Sequence, residues 1–161
     1  MPLLSPKIAR LPRWLLVLTA IGILGLLARH AGSLLHPEPL VLAVADPGCD
    51  LGAGACRARF ADGGSVTFEL EPRRIPVLTP LTLRVGLTGM RAQQVQVDFV
   101  GVDMDMGFNR AGLQEREPGL YVGRATLPVC VRKRMEWEAR VLVLTARGLV
   151  AAPFRFATSS H

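Results

Sequence analysis

Residues 59–70 read RFADGGSVTFEL and combine a tight-turn signal with an alternating strand. The Asp-Gly-Gly sequence at 62–64 supplies the positive φ angles that a short hairpin turn requires. Apolar and polar residues then alternate over 66–70, which is the period of a strand buried on one face. The stretch therefore predicts a β-hairpin.

Short runs of the same kind recur on both sides of this hairpin, separated by glycine, proline or aspartate. They lie at residues 40–45, 56–60, 65–70, 81–87, 94–102, 120–127, 136–145 and 149–157. Between residues 40 and 161, the 3.6-residue period of a helix is not sustained anywhere. The spacing predicts an all-β domain, an antiparallel β-sandwich of about seven to eight strands.

Upstream of these runs, residues 14–28 read WLLVLTAIGILGLLA and carry no charge. Lys7, Arg10 and Arg13 precede the apolar segment, and such a basic flank stays in the cytoplasm. Extension to residue 35 reaches the roughly 20 residues that a transmembrane helix needs. We expect a cytoplasmic basic tail at 1–13, a transmembrane anchor at 14–35, a proline-stiffened linker at 36–39 and a periplasmic domain at 40–161.

A cleaved signal peptide is the alternative, because it has the same basic and apolar regions. The nearest candidate cleavage site, at residues 28–31, places charge beside the bond. We therefore favour an uncleaved, single-pass anchor in the inner membrane with its N-terminus inside. Both alternatives export the domain.

The formal net charge of +6 does not indicate nucleic acid binding. Part of the excess belongs to the membrane flank, and the basic runs at 73–74 and 132–134 have no interleaved aromatic residues. The sequence also lacks a nucleophile elbow, an HExxH motif, a phosphate loop and a Cys-x-x-Cys pair. We expect a protein that is not an enzyme and does not bind nucleic acid.

Three cysteines are an odd number, so at most one disulfide forms within the chain. Cys49 and Cys56 lie in DPGCDLGAGAC, a glycine-rich loop that can bring them together in an oxidising compartment. We predict a disulfide between these two, which leaves Cys130 as a free thiol. A bond between Cys56 and Cys130 is the alternative.

Two methionines in GVDMDMGFNR suggest a soft metal site. Met104 and Met106 are two residues apart, so an extended segment points both thioethers to one side. Thioether and thiolate ligands favour Cu(I), and Cys130 would complete a three-coordinate site, with Met135 as a possible further ligand. Methionines at strand spacing are also typical of a core, but the neighbouring aspartates and glycines favour an exposed loop here.

Trp137 starts an alternation in which residues 137, 139, 141 and 143 are apolar, with charged residues at 136, 138 and 140. The period of two predicts a half-buried strand with Trp137 in the core. Tyr121 follows a Pro-Gly turn, and we expect it to be buried with its hydroxyl on a polar partner.

The sequence resembles the FixH and YtkA-like proteins in three short elements. These are Met-Asp-Met-Gly at 104–107, Gly-Leu-Tyr at 119–121 and the alternating strand that begins at Trp137. The resemblance implies a membrane-anchored, Ig-like domain that assists copper-containing terminal oxidases. It places Met104 and Met106 in the metal-associated element and makes Tyr121 and Trp137 core markers.

These observations together predict a Cu(I)-binding accessory protein that assists assembly or metallation of a respiratory terminal oxidase. Its expected partners are the oxidase or its assembly factors, and the lipid bilayer through the N-terminal helix. The alternative is a metal-free interaction subunit of a membrane complex.

Overall fold

The structure is a computed structural model that describes residues 13–35, 41–128 and 134–159. The chain divides into two compact units, residues 1–38 and 39–161. The described helix belongs to the first unit and the strands belong to the second.

The first unit contains helix α1, Arg13–Leu35. Large apolar side chains along it are exposed, including Trp14, Ile21 and Leu24. In the ranges that the structure describes, no helix is both long enough and apolar enough to cross a membrane. The predicted cytoplasmic tail up to residue 12 and the predicted linker lie outside the described residues.

Ten strands make up the described part of the second unit. In chain order they are β1 Val41–Leu42, β2 Val44–Ala45, β3 Cys56–Arg59, β4 Ser65–Glu71, β5 Pro80–Thr88, β6 Gln94–Gly101, β7 Arg110–Glu117, β8 Leu120–Thr126, β9 Arg134–Thr145 and β10 Gly148–Ser159.

These strands belong to one hydrogen-bonded sheet in the order β1-β10-β9-β6-β7-β8-β5-β4-β3-β2. The β1–β10 pair is parallel, and the other pairs are antiparallel. The predicted all-β class is therefore confirmed. The strand count differs from the prediction, because the run at 40–45 forms two short strands and β7 was not predicted.

Strand β7 is shared between two neighbours. Its first half pairs with β6 through Arg110, Ala111, Gly112 and Leu113. Its second half pairs with β8, with a register shift between Glu115 and Glu117. Most residues in this second half are exposed, so the strand lacks the alternating apolar pattern that marks its neighbours. A single strand thus connects the two groups of strands into one sheet.

Residues 41–45, which we call the closing segment, connect the two ends of this strand order. Ala43 lies between β1 and β2, is buried, and donates its N–H to the carbonyl oxygen of Ala151 on β10 at 2.8 Å. Because β2 pairs with β3, the segment bridges the last and the first positions of the sheet. The sheet is therefore nearly barrel-like, with Phe68 and Phe154 packed in its interior at a ring separation of 5.5 Å.

The turn predicted at residues 62–64 connects β3 and β4, which pair antiparallel. Gly63 has a φ of 91°, and Gly148, the first residue of β10, has a φ of 124°. Residues with side chains rarely adopt such angles, so glycine fits both turns. The predicted hairpin is confirmed, and β9 and β10 form a second antiparallel hairpin.

The two core markers are buried as predicted. Trp137 has no exposed surface, and its Nε1–H donates to the Thr158 hydroxyl at 3.0 Å. Tyr121 is 7% exposed, and Glu115 is its register partner on β7. Burial raises the pKa of Tyr121 above its usual value, and the hydrogen bond and negative charge of Glu115 raise it further.

The predicted disulfide joins Cys49 to Cys56, with their Cα atoms 5.6 Å apart. Cys56 begins β3 and is buried, and Leu51 within the closed loop has no exposed surface. The disulfide therefore ties a loop that contributes a core side chain to the sheet. Cys130, the partner in the alternative pairing, lies outside the described residues.

Candidate metal centre

Residues 102–109, which we call the methionine loop, connect β6 to β7. Met104 and Met106 are half-buried and pack against the hydrophobic core, whereas residues 102, 103, 105, 107 and 108 are exposed. Asp105 accepts a hydrogen bond from the N–H of Gly107 at 2.8 Å, and Gly107 has a φ of 72°. The loop thus directs its two thioether side chains inward and its polar groups to solvent.

Met135 reaches the same region from a different strand. Gly101, the last residue of β6, is the register partner of Trp137 on β9. The next residue, Val102, donates its N–H to the carbonyl oxygen of Glu136 at 3.0 Å. This pairing places the start of β9, where Met135 is 3% exposed, beside the start of the methionine loop.

The side chains of Met106 and Met135 approach Gly101 beside the backbone of Met104, and we call these three residues the methionine cluster. A Cβ atom built on Gly101 would lie 2.7 Å from Met135 Cε and 3.1 Å from Met106 Cγ. It would also overlap the carbonyl oxygen of Met104. The side chains of Met106 and Met135 therefore approach one point, and only a glycine leaves room for them there.

This arrangement brings together part of the predicted site. Met104, Met106 and the possible further ligand Met135 lie in one region, whereas Cys130 lies outside the described residues. Met135 is on the same inward face of β9 as Trp137, two residues away, so the alternation in the sequence already placed it inside. Its neighbours could not be read from the sequence, because they depend on the pairing of β6 with β9.

Thioether sulfur is a soft, uncharged donor, so a site built from such groups is suited to Cu(I) rather than to hard cations. Across the described ranges, no group of three or more histidine, cysteine, aspartate or glutamate side chains is placed to hold a metal ion. The chemistry that the cluster offers is therefore that of neutral sulfur ligands.

A buried ion pair lies at the base of the methionine loop and was not predicted from the sequence. Arg110 Nη2 lies 2.8 Å from Asp98 Oδ2, and the two side chains are 10% and 6% exposed. The guanidinium also lies 5.0 Å from the centre of the Phe108 ring. The one weak sign of this pair in the sequence is the charged residue Asp98 among the valine and phenylalanine residues of β6.

Comparisons with protein-family models, with curated proteins and with solved structures found no match for this chain.

Proposed function

We propose that the protein is a membrane-anchored periplasmic accessory protein that binds Cu(I) at the methionine cluster. In this proposal it assists assembly or metallation of a respiratory terminal oxidase. One observation carries the proposal: Met106 and Met135 converge on Gly101, beside the backbone of Met104. Two thioether side chains from separate elements that approach one position would suit a soft ion.

The identity of the third ligand can be tested by pH. With Met104, Met106 and Met135 as ligands, Cu(I) binding displaces no proton, so affinity stays constant between about pH 6 and 8. With Cys130 as a ligand, binding must displace the thiol proton, whose usual pKa is about 8.5. Affinity would then rise about tenfold per pH unit over this range. We favour Met135, because the structure brings it to the cluster.

Membrane anchoring through α1 is part of the proposal. The uncharged apolar run at residues 14–28 and the basic residues before it support this anchoring. Exposed side chains such as Val17, Leu18 and Leu27 would be better solvated by lipid than by water. Fractionation of the full chain tests this: we expect it in the membrane fraction after a salt wash, and a soluble mature chain beginning near residue 32 would refute it.

We also propose that the domain is an Ig-like sandwich whose layers are joined at one strand. The groups β1-β10-β9-β6 and β8-β5-β4-β3-β2 would be the two layers, and β7 contributes to both. Such a scaffold would hold the methionine loop at the end of a rigid strand pair.

The decisive experiment measures Cu(I) stoichiometry and affinity of the full chain in detergent under reducing conditions. We expect one Cu(I) per wild-type chain, and a large loss of affinity in Met104→Leu/Met106→Leu and in Met135→Leu. Met90→Leu is the matched control, because Met90 is also half-buried but packs over Gly64 in another loop. A wild type that binds no more tightly than the double variant would refute the copper proposal.

A further inference from the structure

We infer that Asp98 and Arg110 are a positioning pair that holds the methionine loop in the shape required for copper binding. The inference rests on the proposed function, since it concerns the same site. Neither residue is offered as a ligand. Their role is to hold β6 and β7 together at the base of the segment that carries Met104 and Met106.

The pair spans the base of the loop. Asp98 on β6 and Arg110 on β7 are register partners, so they face each other where the two strands meet. Their charged atoms are 2.8 Å apart, with side chains 6% and 10% exposed. Asp46 and Arg59 form an ion pair of the same length, but those side chains are 39% and 64% exposed.

Because the Asp98–Arg110 pair is buried, its stability depends much more on close contact than that of the exposed Asp46–Arg59 pair. Two charges attract strongly where water is excluded, but only close contact offsets the cost of removing them from water. Separation of β6 from β7 at this point would leave both charges buried without a partner. The pair therefore resists any opening of the loop base.

The far end of the loop rests on the pair itself. The Phe108 ring lies over the Arg110 guanidinium, and the Phe99 N–H donates to the carbonyl oxygen of Asn109 at 2.8 Å. The near end is fixed by the hydrogen bond from Val102 to Glu136. Both ends of the methionine loop are thus tied down, and the planar guanidinium supplies the surface that supports the second end.

The test uses Asp98→Asn/Arg110→Gln in the full chain in detergent. This double variant has no unpaired buried charge, so we expect it to fold with a Tm close to that of the wild type. It loses the guanidinium plane, and we expect amide exchange of residues 102–109 to become faster in the copper-free protein. Groups that orient metal ligands typically change affinity 10- to 100-fold, so Cu(I) affinity should fall by about tenfold or more.

The matched control is Asp46→Asn/Arg59→Gln, which removes an Asp–Arg pair of equal length at the surface. It should change neither the loop exchange nor the Cu(I) affinity. If the buried double variant does not fold, Arg110→Lys replaces it, because lysine keeps the positive charge but lacks the planar guanidinium. We again expect faster amide exchange of residues 102–109 and weaker Cu(I) binding.

The outcomes separate the inference from the proposed function. A wild type without Cu(I) affinity overturns both. If the wild type binds Cu(I) and the Asp98→Asn/Arg110→Gln variant has the same Cu(I) affinity and the same amide exchange in the loop, only the positioning role is overturned. An intact fold with weaker Cu(I) binding and faster loop exchange supports it.

Discussion

Substitution of Gly101 by alanine tests whether the methionine cluster is packed as described. The new methyl group would overlap the carbonyl oxygen of Met104 and come within 2.7 Å of Met135 Cε. The φ of Gly101 lies outside the left-handed region, so alanine suffers no backbone strain there. Any destabilisation must therefore come from the cluster.

The magnitude follows from which atoms can move. Met135 Cε is the end of a flexible side chain and can rotate away at small cost. The Met104 oxygen belongs to the backbone, so the loop itself would have to shift. Overpacking of this kind costs about 1 to 3 kcal/mol, and we expect a value in the upper half of this range.

Gly112→Ala is the control, because it also places a methyl group on a strand glycine. A Cβ atom at Gly112 would have no atom within 4 Å, and its φ is also outside the left-handed region. Alanine reduces the freedom of the unfolded chain, so we expect no change or a gain of up to about 1 kcal/mol.

Urea unfolding of the full chain in detergent, followed by far-UV circular dichroism, measures both variants. Thermal unfolding is a second measurement. For a domain of this size, each kcal/mol of lost unfolding free energy lowers the Tm by roughly 3 to 6 °C. Equal stabilities for Gly101→Ala and Gly112→Ala would refute the packing of the methionines around Gly101.

Four further outcomes are expected. Trp137→Ala should cost about 3 to 5 kcal/mol in urea unfolding, because it empties a fully buried position, and an unchanged midpoint would contradict its place in the core. Met104→Leu conserves volume and should cost less than about 1.5 kcal/mol in the same assay, so a collapsed domain would mean that this methionine is core rather than site. Because the pKa of Tyr121 is raised by folding, the folded state holds that proton more tightly, and stability should fall as pH rises past about 10; Tyr121→Phe should remove this part of the loss, and identical pH profiles would contradict the shift. Reduction of Cys49–Cys56 should lower stability by about 2 to 3 kcal/mol, and alkylation without reductant followed by mass spectrometry should label one cysteine, whereas three labelled cysteines would contradict the bond.

Features that depend on neighbours along the chain could be predicted from the sequence. The hairpin turn at 62–64, the burial of Trp137 and the short disulfide loop are all encoded within a dozen residues, by glycine conformation, alternation and spacing. Strand β7 was missed because its exposed second half removes the apolar alternation on which strand prediction relies.

Features that depend on strand pairing could not be predicted. Met135 and Met106 meet only because β6 and β9 pair in the register that sets Gly101 against Trp137. Asp98 has a charged partner at 110 for the same kind of reason, since a change of register by one residue would turn it to the other face of the sheet. Residue type alone therefore predicts candidate copper ligands, whereas the approach of Met106 to Met135 depends on strand pairing.

The closing segment sets the order in which this domain can be completed. Its first strand pairs Val41 with Val150, more than a hundred residues later, so the first and last parts of the domain to be synthesised must meet. Contacts this distant along the chain slow folding, because the loop between them must be ordered first. A nascent domain would therefore stay open until its last strand emerged. Loss of β10 would leave β1 without its partner and β9 paired only with β6.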